Sequence, residues 1–146
     1  MKRIPLFKPG THTAMTGQKI SFGESDLAAS ASVYDPALHE SPLVVGHPKT
    51  DAPAYGWVKG LEFSDGELVA IPHQVNADFA DLVANHAYKK ISASFYQPNQ
   101  PGNPTPGKYY LRHVGFLGAQ PPAVKGLRPV EFADDSDEGF VTIEFG

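Results

Sequence analysis

Apolar and polar residues alternate along most of this chain in short runs, a period of two that is typical of β-strands with one buried face. The clearest case is the pair WVKGLEF and ELVAIPH, which flanks Ser64-Asp65-Gly66 and predicts a β-hairpin. Further strands are predicted for SPLVVGHP, ISASFY, KYYLRHVGFLGA, VEFA and FVTIEFG. The first 20 residues or so mix Pro, Gly and Thr and predict an extended lead-in with one candidate strand.

Two segments depart from this alternation and predict helices. SDLAASASVYD, which spans residues 25–35, offers Ser25 as an N-cap and stops before a proline. NADFADLVANHAYKK, residues 76–90, opens at Asn76 and repeats apolar residues on one helical face. The pattern therefore predicts a mainly β fold with flanking helices (α+β), built on an antiparallel barrel or a strongly curved sheet.

The length of 146 residues suits a single domain, residues 1–146. Residues of about 128–146 would supply its C-terminal strands and an acidic loop, 134–138. The net charge is −4 and no basic stripe stands out, which argues against direct contact with nucleic acid. No apolar run approaches the ~18 residues of a membrane span, so we expect no membrane partner and a cytoplasmic protein.

The absence of cysteine excludes disulfides, thiolate metal sites and a cysteine nucleophile together. Four other residues could carry chemistry. His47 follows an apolar strand, Ser92 and Ser94 share one face of another, and His113 lies within LRHVGFLG. A serine nucleophile needs a neutral imidazole to take its proton, and that imidazole needs a partner on its other nitrogen. Each residue also has an ordinary structural interpretation, so these residues by themselves do not prove an active site.

Three long blocks resemble the Mu-like phage I protein, the prohead (capsid maturation) protease of the phage Mu group. They are HESPLVVGHPKTDAPAYGWVKGL, KKISASFY and YLRHVGFLGAQPPAVKGL, and the lead-in FKPGTHTAMTGQKISF also resembles the start of that group. The blocks occur in the same order and cover most of residues 7–127. Such proteases are similar to herpesvirus assemblin, which implies an assemblin-like antiparallel β-barrel with a Ser-His-His triad.

The resemblance assigns a role to each candidate residue. It makes Ser92 the nucleophile, His47 the general base and His113 the third member of the triad. Ser94 is the alternative nucleophile, because it points to the same side of its strand as Ser92. Backbone N–H groups near Gly118 and Ala119 are candidates for the oxyanion hole.

The resemblance also implies a biology. Such a serine endopeptidase cleaves the internal scaffold and itself inside the immature capsid, in the cytoplasm of the bacterial host, and needs no cofactor. Its expected partners are the phage scaffold protein and the major capsid protein, with a possible homo-oligomer. The helical C-terminal scaffold region of such a precursor is expected to be absent from this chain, which ends at Gly146.

Two other functions stay open at this point. A metal-dependent hydrolase would use His47, Asp51 and His73, although no further ligand is evident and Pro48 argues against placing the first two on a helix. A non-catalytic scaffold or capsid-assembly protein would need none of the candidate residues.

Overall fold

The computed structural model describes residues 1–14, 16–46, 52–118 and 140–145. Within these ranges the chain forms nine strands and two helices. The strands are β1 (Ile4–Phe7), β2 (Gly10–Thr13), β3 (Lys19–Phe22), β4 (Pro42–Val45), β5 (Gly56–Ser64), β6 (Glu67–His73), β7 (Lys90–Tyr96), β8 (Tyr110–Leu117) and β9 (Phe140–Phe145). The helices are α1 (Glu24–Val33) and α2 (Ala77–Ala84). In the described part of the chain, neither helix is long and apolar enough to cross a membrane.

Seven of the strands form one curled sheet, a half-barrel with the order β1-β6-β5-β4-β8-β7-β9, and β2 and β3 form a separate hairpin. The prediction of a mainly β fold with flanking helices is confirmed. The sheet is mixed rather than wholly antiparallel, because β4 and β8 run parallel. Parallel neighbours need a long connection, and here the whole chain from β5 to β7 lies between them.

The β5–β6 hairpin forms as predicted. Asp65 and Gly66 both have positive φ, 52° and 76°, which is the backbone of a type I′ turn. The lead-in differs from expectation, because residues 1–22 hold three strands rather than one. Its short strands carry inward-facing apolar residues: Leu6 and Phe22 are almost completely buried in the core. The predicted strand VEFA and the acidic loop 134–138 lie outside the described residues.

Both helices begin close to where the sequence predicts. Gly23, not Ser25, is the N-cap of α1, and its backbone N–H donates to Asp26 Oδ2 at 2.8 Å. Asn76 caps α2 as predicted, since its side chain accepts from the Phe79 N–H at 2.9 Å. The second helix ends at Ala84 instead of reaching residue 90. His86 has φ +63°, a left-handed conformation that cannot continue a helix.

Two tyrosines, the buried Tyr110 and the partly buried Tyr34, connect the segment between α1 and β4 to the sheet. The rings of Tyr34 and Tyr110 stack at 5.4 Å. The Tyr34 hydroxyl donates to Val58 O at 2.6 Å and accepts from Ser41 N–H at 3.0 Å. The Tyr110 hydroxyl lies 2.6 Å from Asp35 O and 3.1 Å from Asp35 N, which donates to it. These bonds fix the segment that leads into β4, and β4 leads directly to His47.

We expect Tyr110→Phe to lower the free energy of unfolding by about 0.5–1.5 kcal/mol, because the part-buried hydrogen bonds to the Asp35 backbone are lost. Chemical denaturation with an unchanged m-value would measure this loss. Tyr55→Phe is the matched control, since the Tyr55 hydroxyl makes no hydrogen bond to the described residues while its ring stacks on Phe79. Equal stability of the two variants would contradict the role given to the Tyr110 hydroxyl.

Stability should also fall at alkaline pH. Burial raises the pKa of the Tyr34 and Tyr110 hydroxyls above the ordinary 10.0. The unfolded chain therefore loses these protons first, so the free energy of unfolding is retained below about pH 10 and falls above it. Denaturation between about pH 9 and pH 11 should show a shallower fall when both tyrosines are replaced by Phe. An unchanged slope would mean that other groups set the alkaline limit.

Candidate active site

Strand β7 has two chemically different faces. Ala93 and Phe95 point into the apolar core and are completely buried. Ser92 and Ser94 alternate with them and therefore lie together on the opposite face, as the sequence predicts. That second face is also shielded from solvent, since both serines are 0% exposed. The strand thus contributes two hydroxyls to a buried polar layer, which is made of Ser92, Ser94, His113 and Thr142.

Strand β8 brings a histidine onto the same face. In the β7–β8 ladder, Ser94 pairs with His113 and Ser92 pairs with Gly115. Cross-strand partners in an antiparallel pair have side chains on one face, with Cα atoms about 4.5–5.5 Å apart. His113 is only 5% exposed. The structure therefore brings together three of the residues singled out from the sequence: Ser92, Ser94 and His113.

Strand β9 closes the other edge of β7 and supplies a residue that sequence reasoning missed. Thr142 pairs with Ser94, and its Oγ1 donates to Ser94 Oγ at 3.0 Å. Thr142 is 2% exposed. The only sequence signal is a lone hydroxyl residue at the centre of the apolar strand FVTIEF, 48 residues after its partner. No local pattern links two residues at that separation.

The two serines differ in hydrogen bonding. Ser94 Oγ is engaged by Thr142, whereas Ser92 Oγ is buried and has no hydrogen-bond partner in the described part of the chain. Leaving a buried hydroxyl unpaired costs about 1–3 kcal/mol, so nearly all such groups in native proteins are paired. Catalytic groups are one class of exception, although Ser30 Oγ in α1 is also buried without a partner among the described residues.

The contact with Arg112 selects one tautomer of neutral His113. Its Nε–H donates to His113 Nδ1 at 3.2 Å, and its guanidinium lies over the ring of Phe140, 3.8 Å from the centroid. A guanidinium has no acceptor, so Nδ1 of His113 must be the acceptor in this contact. A neutral imidazole in that position carries its proton on Nε2. Sequence reasoning did not single out Arg112.

The end of β4 comes close to this polar face. Gly46 N–H donates to Phe116 O at 2.9 Å, and Gly46 has φ +70°. Gly46 O lies 2.8 Å, and Ser92 Cβ 3.7 Å, from the point that a Cβ at Gly115 would occupy. The residue before His47 is therefore packed against the strand pair that carries Ser92. His47 itself lies outside the described residues.

The candidate oxyanion residues are not both described. Gly118 follows β8 and lies beside Tyr88. It is three residues after Gly115, the partner of Ser92, and three residues of a strand span about 10 Å. Ala119 lies outside the described residues. The oxyanion hole therefore stays a prediction.

The proposed metal ligands are likewise only partly described. His73 Nε2 is 3.0 Å from Glu40 Oε2, with both side chains about one-third exposed. Among the residues that the structure describes, no group of three His, Cys, Asp or Glu side chains could hold a metal ion. Asp51, like His47, lies outside the described residues.

The Arg112 contact makes a testable statement about His113. At about pH 8, where imidazoles are ordinarily neutral, two-bond ¹H–¹⁵N spectra should show the Nε2–H tautomer of His113. His12 serves as an internal reference, because its Nε2 lies 2.7 Å from the carbonyl oxygen of Lys8 and must carry a proton to bond there. Finding the Nδ1–H tautomer at His113 would show that Arg112 does not donate to it in solution.

Comparison with known proteins gives one structural similarity. The crystal structure of the Kaposi's sarcoma-associated herpesvirus protease, bound to an allosteric inhibitor, is similar over 99% of this chain and 78% of its own, at 12% identity and a TM-score of 0.42. No protein-family model matches the chain, and no curated protein matches it either. Similarity at this level transfers no function, so a functional conclusion has to depend on the residues themselves.

Proposed function

We propose that this chain is a serine endopeptidase in which Ser92 is the nucleophile, His47 the general base and His113 the third member of the triad. The observation that carries the proposal is the buried polar face of β7 and β8, where Ser92 and His113 lie on neighbouring strands. The packing of Gly46 against the same strand pair supports the place of His47, because His47 is the next residue in the chain.

The proposed reaction follows from the chemistry of these groups. Ser92 Oγ attacks the scissile carbonyl carbon while the His47 imidazole takes the hydroxyl proton. Collapse of the tetrahedral intermediate breaks the C–N bond, and His47 returns the proton to the leaving amine. A water then attacks the acyl carbon and gives a proton to His47. Collapse breaks the bond between the acyl carbon and Ser92 Oγ, His47 returns the proton to that oxygen, and the carboxylic acid product ionises to solvent.

Hydrogen bonding favours Ser92 over Ser94 as the nucleophile. Ser94 Oγ already accepts a bond from Thr142 and joins β7 to β9, a structural role. Ser92 Oγ has no such bond in the described part of the chain, so its hydroxyl is not committed to a structural contact there. The buried location also strengthens any electrostatic interaction made there.

The Arg112 contact limits how His113 acts. The third member of a triad accepts a hydrogen bond from the base. With Arg112 donating to Nδ1, neutral His113 carries its proton on Nε2 and presents a donor there. His113 becomes an acceptor at Nε2 only after Arg112 turns away and the proton moves to Nδ1. The resting arrangement is therefore a less active one.

Arg112→Leu should consequently speed the reaction. We expect an increase of about two- to tenfold, the effect of releasing one hydrogen bond worth ~0.5–1.5 kcal/mol. The rate of covalent labelling by a fluorophosphonate measures it. Arg3→Leu is the control, because Arg3 pairs with Glu62 in an exposed salt bridge. A slower Arg112→Leu variant would mean that Arg112 supports the active arrangement.

The wider role that we propose is maturation of a phage prohead. Three long blocks that resemble the Mu-like phage I protein support it, and the mainly β fold with two helices is compatible with it. In this role the enzyme cleaves the internal scaffold and itself inside the immature capsid, in the bacterial host. Its partners are the scaffold protein, the major capsid protein and further copies of itself.

The decisive experiment follows processing of the full-length precursor by intact mass. We expect Ser92→Ala and His47→Ala to lower the rate by at least about 100-fold, the usual contribution of nucleophile activation by a base. His113→Ala should slow cleavage less. Ser94→Ala, the matched control on the same strand face, should cleave at close to the wild-type rate despite some loss of stability.

The same experiment separates the other functions. If Ser94→Ala is the inactive variant, the nucleophile is displaced by two residues. Inhibition by a chelator, together with full activity of Ser92→Ala, would point to the metal-dependent hydrolase. Unchanged processing in every variant would leave a non-catalytic scaffold or capsid-assembly protein.

A further inference from the structure

The backbone at the end of β4 packs closely against the centre of β8. Strand β4 runs parallel to β8, with Val44 opposite Gly115. Just beyond it, Gly46 bonds to Phe116 O and turns its own carbonyl towards Gly115. A Cβ at position 115 would lie 2.8 Å from Gly46 O, closer than real Cβ contacts. This approach requires glycine at position 115.

A larger residue at position 115 would clash with Gly46 and not with Ser92. Ser92 Cβ lies 3.7 Å from the same point, which is an ordinary van der Waals distance. The group that is too close is a backbone oxygen, which cannot rotate away as a side-chain end can. Position 115 is also paired with Ser92 and fixed within the sheet, so Gly46 is the residue that would have to move.

We infer that Gly115 is a positioning residue for the proposed reaction: its missing side chain lets the segment that leads into His47 approach Ser92. The inference depends on the proposed function, because Gly46 matters to the reaction only if the residue that follows it is the general base. Gly115 acts only through the position of Gly46 and is not itself a catalytic residue. Displacing a catalytic group by about 1 Å can cost a factor of about 100 in rate.

The test compares Gly115→Ala with Gly60→Ala. Gly60 is the matched control because it also lies within the main sheet, has no left-handed φ, and has no heavy atom within 4 Å of its added Cβ. The readout is the second-order rate of fluorophosphonate labelling at Ser92 across a pH series, with folding monitored by circular dichroism. We expect Gly60→Ala to match the wild type and Gly115→Ala to label about 100-fold more slowly.

The pH series separates positioning from mere damage to the fold. A smaller folded fraction would lower the labelling rate at every pH and keep its midpoint. A displaced base would instead remove the sigmoidal dependence on pH that imidazole catalysis gives, leaving a rate that rises with hydroxide. Labelling of Gly115→Ala at the wild-type rate and with the wild-type pH profile would overturn the inference.

Gly46→Ala changes the other residue of the contact between Gly46 and Gly115. There is room for its methyl group, but the φ of +70° strains an L-residue and should displace the segment. If Gly115→Ala fails to fold, slow labelling of folded Gly46→Ala with an altered pH profile supports the inference, and wild-type behaviour refutes it. A wild-type chain that does not label at Ser92 would instead refute the proposed function itself.

Discussion

The register between β7 and β8 is the constraint on which the rest of this structure depends. It sets Ser92 opposite Gly115 and Ser94 opposite His113, and at the same time turns Ala93 and Phe95 into the core. A shift of one residue would exchange the two faces, burying two hydroxyls among apolar side chains. The apolar core thus enforces the polar cluster, since the packing that stabilises the sheet also selects the one pairing in which the candidate residues meet.

Burial on both faces is what makes the polar layer chemically specific. In an antiparallel sheet with one solvent-exposed face, the two serines of β7 would both be hydrated and would have similar hydrogen bonding. Here each buried hydroxyl needs its own partner, and β9 supplies one to Ser94 through Thr142. Two serines on the same face of one strand are thereby given different environments. We propose Ser92 rather than Ser94 as the nucleophile on this distinction, which arises from the tertiary structure alone.

Sequence patterns predicted the features that short segments determine. The β5–β6 hairpin follows from an alternating pattern around Asp65-Gly66, and the start of α2 follows from Asn76, whose side chain caps it. The shared face of Ser92 and Ser94 follows from strand periodicity. The parallel β4–β8 pair and the Thr142 contact join distant parts of the chain, so no local pattern could reveal them. The helix α2 stops early because the backbone reverses at His86, where neither Gly nor Pro marks the position.

The sequence separation between β7 and β9 has a consequence for biosynthesis. Thr142 lies 48 residues after Ser94, which a ribosome needs about 2–10 seconds to add. Throughout that interval one edge of β7 has no β9 to pair with, and a bare strand edge can pair with other chains. The Thr142–Ser94 contact can therefore form only after β9 has been made. A substitution that weakens the pairing of β9 with β7 would leave that edge open to other chains for longer.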